Sequence, residues 1–249
     1  MAKRRHARRR RRRGFGVLYK LISVIVISVA IVAALTLFFK VDSVTVSGVT
    51  KYSNEEIVAA SGVQTGDNLF LLNKYEISDA IIEKLPYVSS VSISRKLPDT
   101  LVIEVTDSNQ GGVIQQDGAY WVVSSAGKLL GKRAEAGSGA LIVGVGLSEP
   151  QVGQKMAAVE GQERKMEQLQ ELFNALEEKG MLPGVSKIDF SEDGVISMDY
   201  AQRFTVKFAY GADFVYKLSN LNQVIEQLEE NEEGIIDLTV DGRANVIPR

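Results

Sequence analysis

The sequence predicts an α+β chain with three parts. One N-terminal transmembrane helix comes first, then a small β-α-α-β-β unit, then a β-rich unit with a mixed or antiparallel sheet and two flanking helices. Three observations carry that reading. A run of 19 uncharged residues follows a basic N-terminal tail. Over residues 40–107 the apolar spacing alternates between strand and helix periods in the order strand, helix, helix, strand, strand. Beyond residue 107, short alternating runs are separated by Asp-Gly and other Gly-containing turns, with two amphipathic helical stripes among them.

The uncharged run extends from Leu21 to Phe39. As a helix it spans roughly 28 Å, close to the ~30 Å hydrocarbon core of a bilayer. A buried helix of a soluble protein normally keeps a polar face, and this run is apolar all round. It is longer than the apolar core of a signal peptide, and no small-residue cleavage motif precedes Lys40. The reading is an uncleaved anchor over residues 17–39, bounded by Leu21 and Phe39.

Charge sets the expected orientation. Ten of the 29 Lys and Arg residues and none of the 31 Asp and Glu residues precede Phe39, so the net −2 divides into +10 and −12. Basic flanks stay on the cytoplasmic side, which makes Arg8, Arg9, Arg10, Arg11, Arg12 and Arg13 the topology determinants. The remainder is then extracytoplasmic. Residues 1–16 are basic, of low complexity and poor in apolar groups, so no fold is expected there. An arginine run can also bind nucleic acid, but beside a span the simpler role is topology and contact with anionic lipid. The chain has no cysteine, so no disulfide supports the outer part.

In the first outer unit, residues 40–107, Val41, Val44 and Val46 mark a strand that ends at Gly48. Ser53 and Glu56 form a capping box ahead of a helix that stops at Gly62. Asn73 with Glu76 opens a second helix, whose stripe is Ile77, Ala80, Ile81 and Leu85, and Pro86 ends it. The strands 87–93 and 100–105 are joined by the loop 95–99. Gly48, Gly62 and Gly66 read as turns. Two helices on one face of a three-stranded sheet follow from this order.

Four marks in this stretch resemble those of a POTRA domain of the FtsQ/DivIB type. They are Val46-Ser47-Gly48, Gly66-Asp67-Asn68-Leu69-Phe70, Leu85-Pro86-Tyr87-Val88 and Leu97-Pro98-Asp99-Thr100-Leu101. The basic tail and single span ahead of them fit the same family.

Residues 108–249 form the second outer unit. The runs 120–123 and 128–130 read as a hairpin across Ser124 to Gly127, with Trp121 as a half-buried strand residue. A polar loop over 131–139 precedes a strand at 140–143. Residues 163–179 carry Met166, Leu169, Leu172, Phe173 and Leu176 at helical spacing and end at Gly180 and Pro183. Strands follow at 185–190, 195–200 and 204–210. Asp213 caps a last helix bearing Leu218, Leu221, Val224, Ile225 and Leu228. The chain closes on a strand at 235–240, a turn at Asp241-Gly242 and a terminal strand, Ala244, Asn245, Val246 and Ile247. This half resembles the family's C-terminal β domain in 124–130, 141–144, Lys217-Leu218 and Ile236-Asp237-Leu238. It departs in lacking a proline before Gly144 and in carrying Thr239 where a basic residue is common.

No catalytic constellation assembles. The one histidine, His6, lies in the tail, so Ser-His and Cys-His pairs are excluded and a zinc site is not expected. Ser125 and Lys128 fit an S-x-x-K spacing, but in a hairpin and without the partner motifs of acyltransferases. No cofactor, metal or small-molecule substrate is indicated. The resemblance implies a non-catalytic bitopic membrane scaffold of the bacterial division septum. Its implied partners are small coiled-coil division proteins of the FtsL and FtsB/DivIC kind. The alternatives are a membrane-anchored wall-modifying enzyme or another POTRA-type adaptor. Residues 244–247 have no later strand to pair with and are the expected partner-binding edge.

Overall fold

The structure, a computed structural model, describes residues 13–229 and 231–248. Helix α1 spans Arg13–Phe38. Its part Leu18–Phe38 has mean hydropathy 2.9, none of it buried, and is the one helix among the described residues long and apolar enough to cross a membrane. The helix begins upstream of the expected residue 17. It also ends one residue short of Phe39, which turns out of the helix and packs into the first outer unit. Arg8 to Arg12, like His6, lie outside the described residues, and Arg13 is the first residue of α1.

Five elements follow in the expected order: β1 (Ser43–Val49), α2 (Asn54–Ser61), α3 (Lys74–Lys84), β2 (Val88–Lys96) and β3 (Thr100–Asp107). The sheet order is β1-β3-β2, with β1 parallel and β2 antiparallel to the central β3. Helix α2 starts because the Ser53 hydroxyl accepts the Glu56 amide while Glu56 Oε2 accepts the Ser53 amide, at 3.3 and 2.8 Å. It stops at Gly62, φ 71°. Asn73 caps α3 by accepting the Tyr75 amide and donates to Glu76 through its own amide nitrogen. Fully buried Ile57, Leu69, Ile81 and Ile103 form the centre of this unit.

Gly48 is not the turn expected. It lies inside β1 opposite Val105, and a Cβ there would stand 1.9 Å from the Val105 carbonyl oxygen. The glycine allows close approach of two backbones rather than ending a strand.

The second unit contains β4 (Gln110–Gln116), β5 (Ala119–Ser124), β6 (Leu129–Arg133), β7 (Ala140–Val143), α4 (Glu163–Glu178), β8 (Val185–Asp189), β9 (Val195–Tyr200), β10 (Phe204–Ala209), α5 (Phe214–Gln227), β11 (Gly234–Asp237) and β12 (Asn245–Pro248). They build one nine-stranded sheet in the order β12-β11-β10-β9-β8-β7-β4-β5-β6. It is mixed: β4 with β7, β7 with β8 and β10 with β11 pair in parallel. Both helices cover the same face, where Leu169, Leu172, Phe173, Leu218 and Leu221 meet the inward rows of the strands. Trp121 is buried in that core, deeper than the half-buried position expected of it.

Strand β4 is absent from the sequence reading. Two of its seven residues are glycines, and both are needed for close packing. A Cβ at Gly111 would meet the Phe173 ring at 2.9 Å, and one at Gly112 the Ala140 carbonyl oxygen at 2.5 Å. Strand β6 also extends into the stretch read as loop, through Arg133.

The two outer units touch. Lys128 Nζ donates to the Ile82 carbonyl at 2.9 Å, and Tyr87 packs on a small cluster of Val113, Val122 and Leu130.

Candidate functional site

The candidate site is the free end of the nine-stranded sheet. Strand β12 pairs antiparallel with β11, Asp237 opposite Asn245, Ile236 opposite Val246, Ile235 opposite Ile247 and Gly234 opposite Pro248. Nothing lies beyond β12 among the described residues, so its outer backbone edge faces solvent. The expected strand was 244–247. In the structure Ala244 precedes the strand and Pro248 joins it.

Side chains on β12 continue the rows of the sheet. Val246 stands in register with Ile236 and, through it, Val206, both fully buried, so Val246 extends the core row past the last covered strand. Ile247 extends the opposite face next to Ile235. Their exposures, 37 % and 53 %, leave apolar surface on both faces of the edge. A strand added there would gain main-chain hydrogen bonds along the edge and apolar contact on either side.

Three devices hold β12 in place. The first is the turn that leaves β11. Asp237 Oδ1 accepts the Thr239 amide at 2.9 Å and its hydroxyl at 2.7 Å, so the strand stops at Asp237 rather than running on to Val240 as expected. These bonds, the hydroxyl's first, hold the Asp237 carboxyl below the usual carboxylate range. Thr239 thus forms part of this turn.

The second device is Lys217, buried on α5 with 2 % exposure. Its Nζ donates to the Val240 carbonyl at 2.9 Å and pairs with Asp241 Oδ1 at 2.8 Å. Asp213 begins that helix by accepting the Tyr216 amide at 3.0 Å. The cap therefore sets α5, α5 sets Lys217, and Lys217 sets the turn that delivers β12.

Gly234 is the third. A Cβ there would come within 2.3 Å of the Ile247 carbonyl oxygen, so only glycine lets β12 close on β11. The sequence reading missed the roles of both Lys217 and Gly234. For Lys217 a signal existed, since a lysine shares the stripe of Leu218 and Leu221. Gly234 carried none before its strand partner was known.

The remaining sequence candidates lie elsewhere. Leu21 is exposed in the N-terminal half of α1, while Phe39 stacks edge-on against Phe70 at 5.0 Å. Ser125 is buried in a turn, and Lys128 Nζ is committed to the Ile82 carbonyl. Burial lowers the Lys128 pKa. Among the described residues no three His, Cys, Asp or Glu side chains cluster as metal ligands would.

Comparison with known proteins finds matches to both outer units. The profile of the FtsQ-type POTRA domain matches residues 39–107. That of the FtsQ/DivIB C-terminal domain matches residues 112–239, more than half of the chain. A cell division protein FtsQ of Corynebacterium glutamicum is 31% identical over 110 residues, which cover 43% of this chain and 49% of the relative. The chain thus spans about half the length of that relative. DivIB of Clostridium botulinum strain Loch Maree is 25% identical over 232 residues, 90% of this chain and 88% of the relative. Among solved structures, the extracytoplasmic domain of the trans isomer of DivIB from Geobacillus stearothermophilus covers 50% of this chain and 97% of its own, with 16% identity and a TM-score of 0.31. With the two profiles lying in sequence order behind an apolar N-terminal helix, the chain belongs to the FtsQ/DivIB family of cell division proteins.

Proposed function

We propose that this chain is a non-catalytic scaffold of the division septum. Anchored by α1, it captures small single-span coiled-coil proteins of the FtsL and FtsB/DivIC kind on β12, outside the cytoplasm. The family supports the division role. The observation that carries the capture site is the free edge of β12, apolar on both faces and held by a buried lysine. Edge strands are normally blunted by charge, bulges or covering elements. Asn245 to Ile247 carry no charge and no covering segment among the described residues. Affinity would come from the ladder and selection from side-chain contacts with Val246 and Ile247.

A Val246→Pro change removes one backbone donor and fixes φ without opening a core cavity. Full-length protein carrying it should fold normally by circular dichroism and lose co-purification with co-expressed FtsB/DivIC-like partner by about tenfold or more. Undiminished capture by a folded variant would place the partner surface elsewhere.

Orientation is part of the proposal. The basic tail would remain cytoplasmic and the rest outside, because ten basic residues precede Phe39 and all 31 acidic residues follow it. A reporter active only outside the cytoplasm should be active when fused after Arg249 and inactive when fused at Gly14. The reverse pattern would invert the topology.

A further inference from the structure

We propose that the turn over residues 67–72 and the tip of the β2–β3 hairpin sit in the lipid–water interface, as a phospholipid-contacting foot of the first outer unit. This rests on the reading of α1 as a membrane anchor.

The foot is latched directly to the end of α1. Asn68 Nδ2 donates to the carbonyls of Leu35 and Thr36 at 2.9 and 3.3 Å, two acceptors left open by the end of the helix. The Leu69 amide donates to the Phe39 carbonyl at 2.9 Å, and the Phe39 and Phe70 rings meet edge to face at 5.0 Å. No linker separates the apolar helix from this turn. If α1 crosses a bilayer, the turn lies where the hydrocarbon ends.

Its side chains suit that depth. Phe70, Leu71 and Leu97 are 45%, 77% and 54% exposed, and Leu37 and Phe38 at the end of α1 are exposed as well. Single exposed leucines are ordinary, but here large apolar groups from three segments gather at one end of one unit. Arg95 joins the segments: its guanidinium donates to the carbonyls of Leu69 and Leu72 and lies 5.9 Å from the Phe70 ring centre. The hairpin tip is tied to the same end, where the Asp42 amide donates to the Asp99 carbonyl at 2.8 Å. Aromatic rings and long cationic side chains are the groups that favour the interfacial zone. Of the carboxylates nearby, that of Asp67 accepts the Gln64 amide and that of Asp99 the Thr100 hydroxyl, while Asp42 is exposed to solvent. A protein partner would also cover apolar surface, but continuity with α1 favours lipid.

The chain has no cysteine, so single labelling sites are clean. Full-length Leu71→Cys, Leu97→Cys, Ser92→Cys and Val29→Cys variants would be labelled with bimane and placed in phosphatidylcholine nanodiscs containing doxyl lipid. Ser92, exposed on β2, reports the aqueous level, and Val29, exposed on α1, reports the depth of the span. The expected result is quenching at 71 and 97 at least about twofold above that at 92 by headgroup-proximal doxyl groups, with 29 quenched by deeper ones. Quenching at 29 alone overturns the foot and leaves the anchor standing. Quenching at none of the four removes the anchor, and the foot with it.

Discussion

Lys217 shows how one buried charge can serve a strand on the far side of a turn. Its Nζ reaches the Val240 carbonyl and Asp241, while its stem lies on the apolar stripe of α5. Asp241 is 95% exposed, so removing the lysine strands no buried anion. What is lost is a charge-assisted bond to one carbonyl, of order 1–3 kcal/mol. A Lys217→Met change keeps most of the stem's volume. It should lower stability by about that amount in denaturant unfolding while weakening partner capture by more than the fold suffers. Equal loss of stability with capture unchanged would show that the turn does not depend on this clamp.

At the scale of elements, the edge depends on the fit of β12 against β11. Gly234 faces backbone atoms of Ile247 and Pro248, which cannot give way as a flexible side chain would. A Gly234→Val change should displace β12, speed amide exchange at 245–247 and abolish capture. The melting temperature should fall by roughly 4 °C or less, since the four-residue edge strand contributes little to the core. A large cooperative loss of stability would instead make β12 an integral part of the sheet.

The same scale shows what could be read from residues alone. The helices were legible because each announces itself locally: Ser53 with Glu56, Asn73, Asp213, and the stripes of α4 and α5. Most strands were too, since Val, Ile and Phe alternate along them. Strand β4 was not, because Gly111 and Gly112 are chosen by contacts with Phe173 and Ala140, which are remote in sequence. For the same reason Gly48 looked like a turn. Its constraint is the opposing carbonyl of Val105. Of the candidate site, the strand itself was legible to within one residue. Its clamp was not, because a lysine on a helix stripe does not reveal which carbonyl it will reach.

At the scale of the molecule, the elements form a sequence of attachments leading away from α1. Asn68 latches the helix to the first outer unit, Tyr87 and Lys128 join that unit to the large sheet, and Lys217 holds the sheet's last strand open. On the proposed function, a partner adds a strand to β12. Amide hydrogen exchange measures it most directly, using the full-length chain in nanodiscs with and without the extracytoplasmic segment of an FtsB/DivIC-like partner. Strand addition predicts exchange slowed about tenfold or more at 245–247, with smaller changes elsewhere. Unchanged exchange at 245–247 while protection appears on another surface would contradict it.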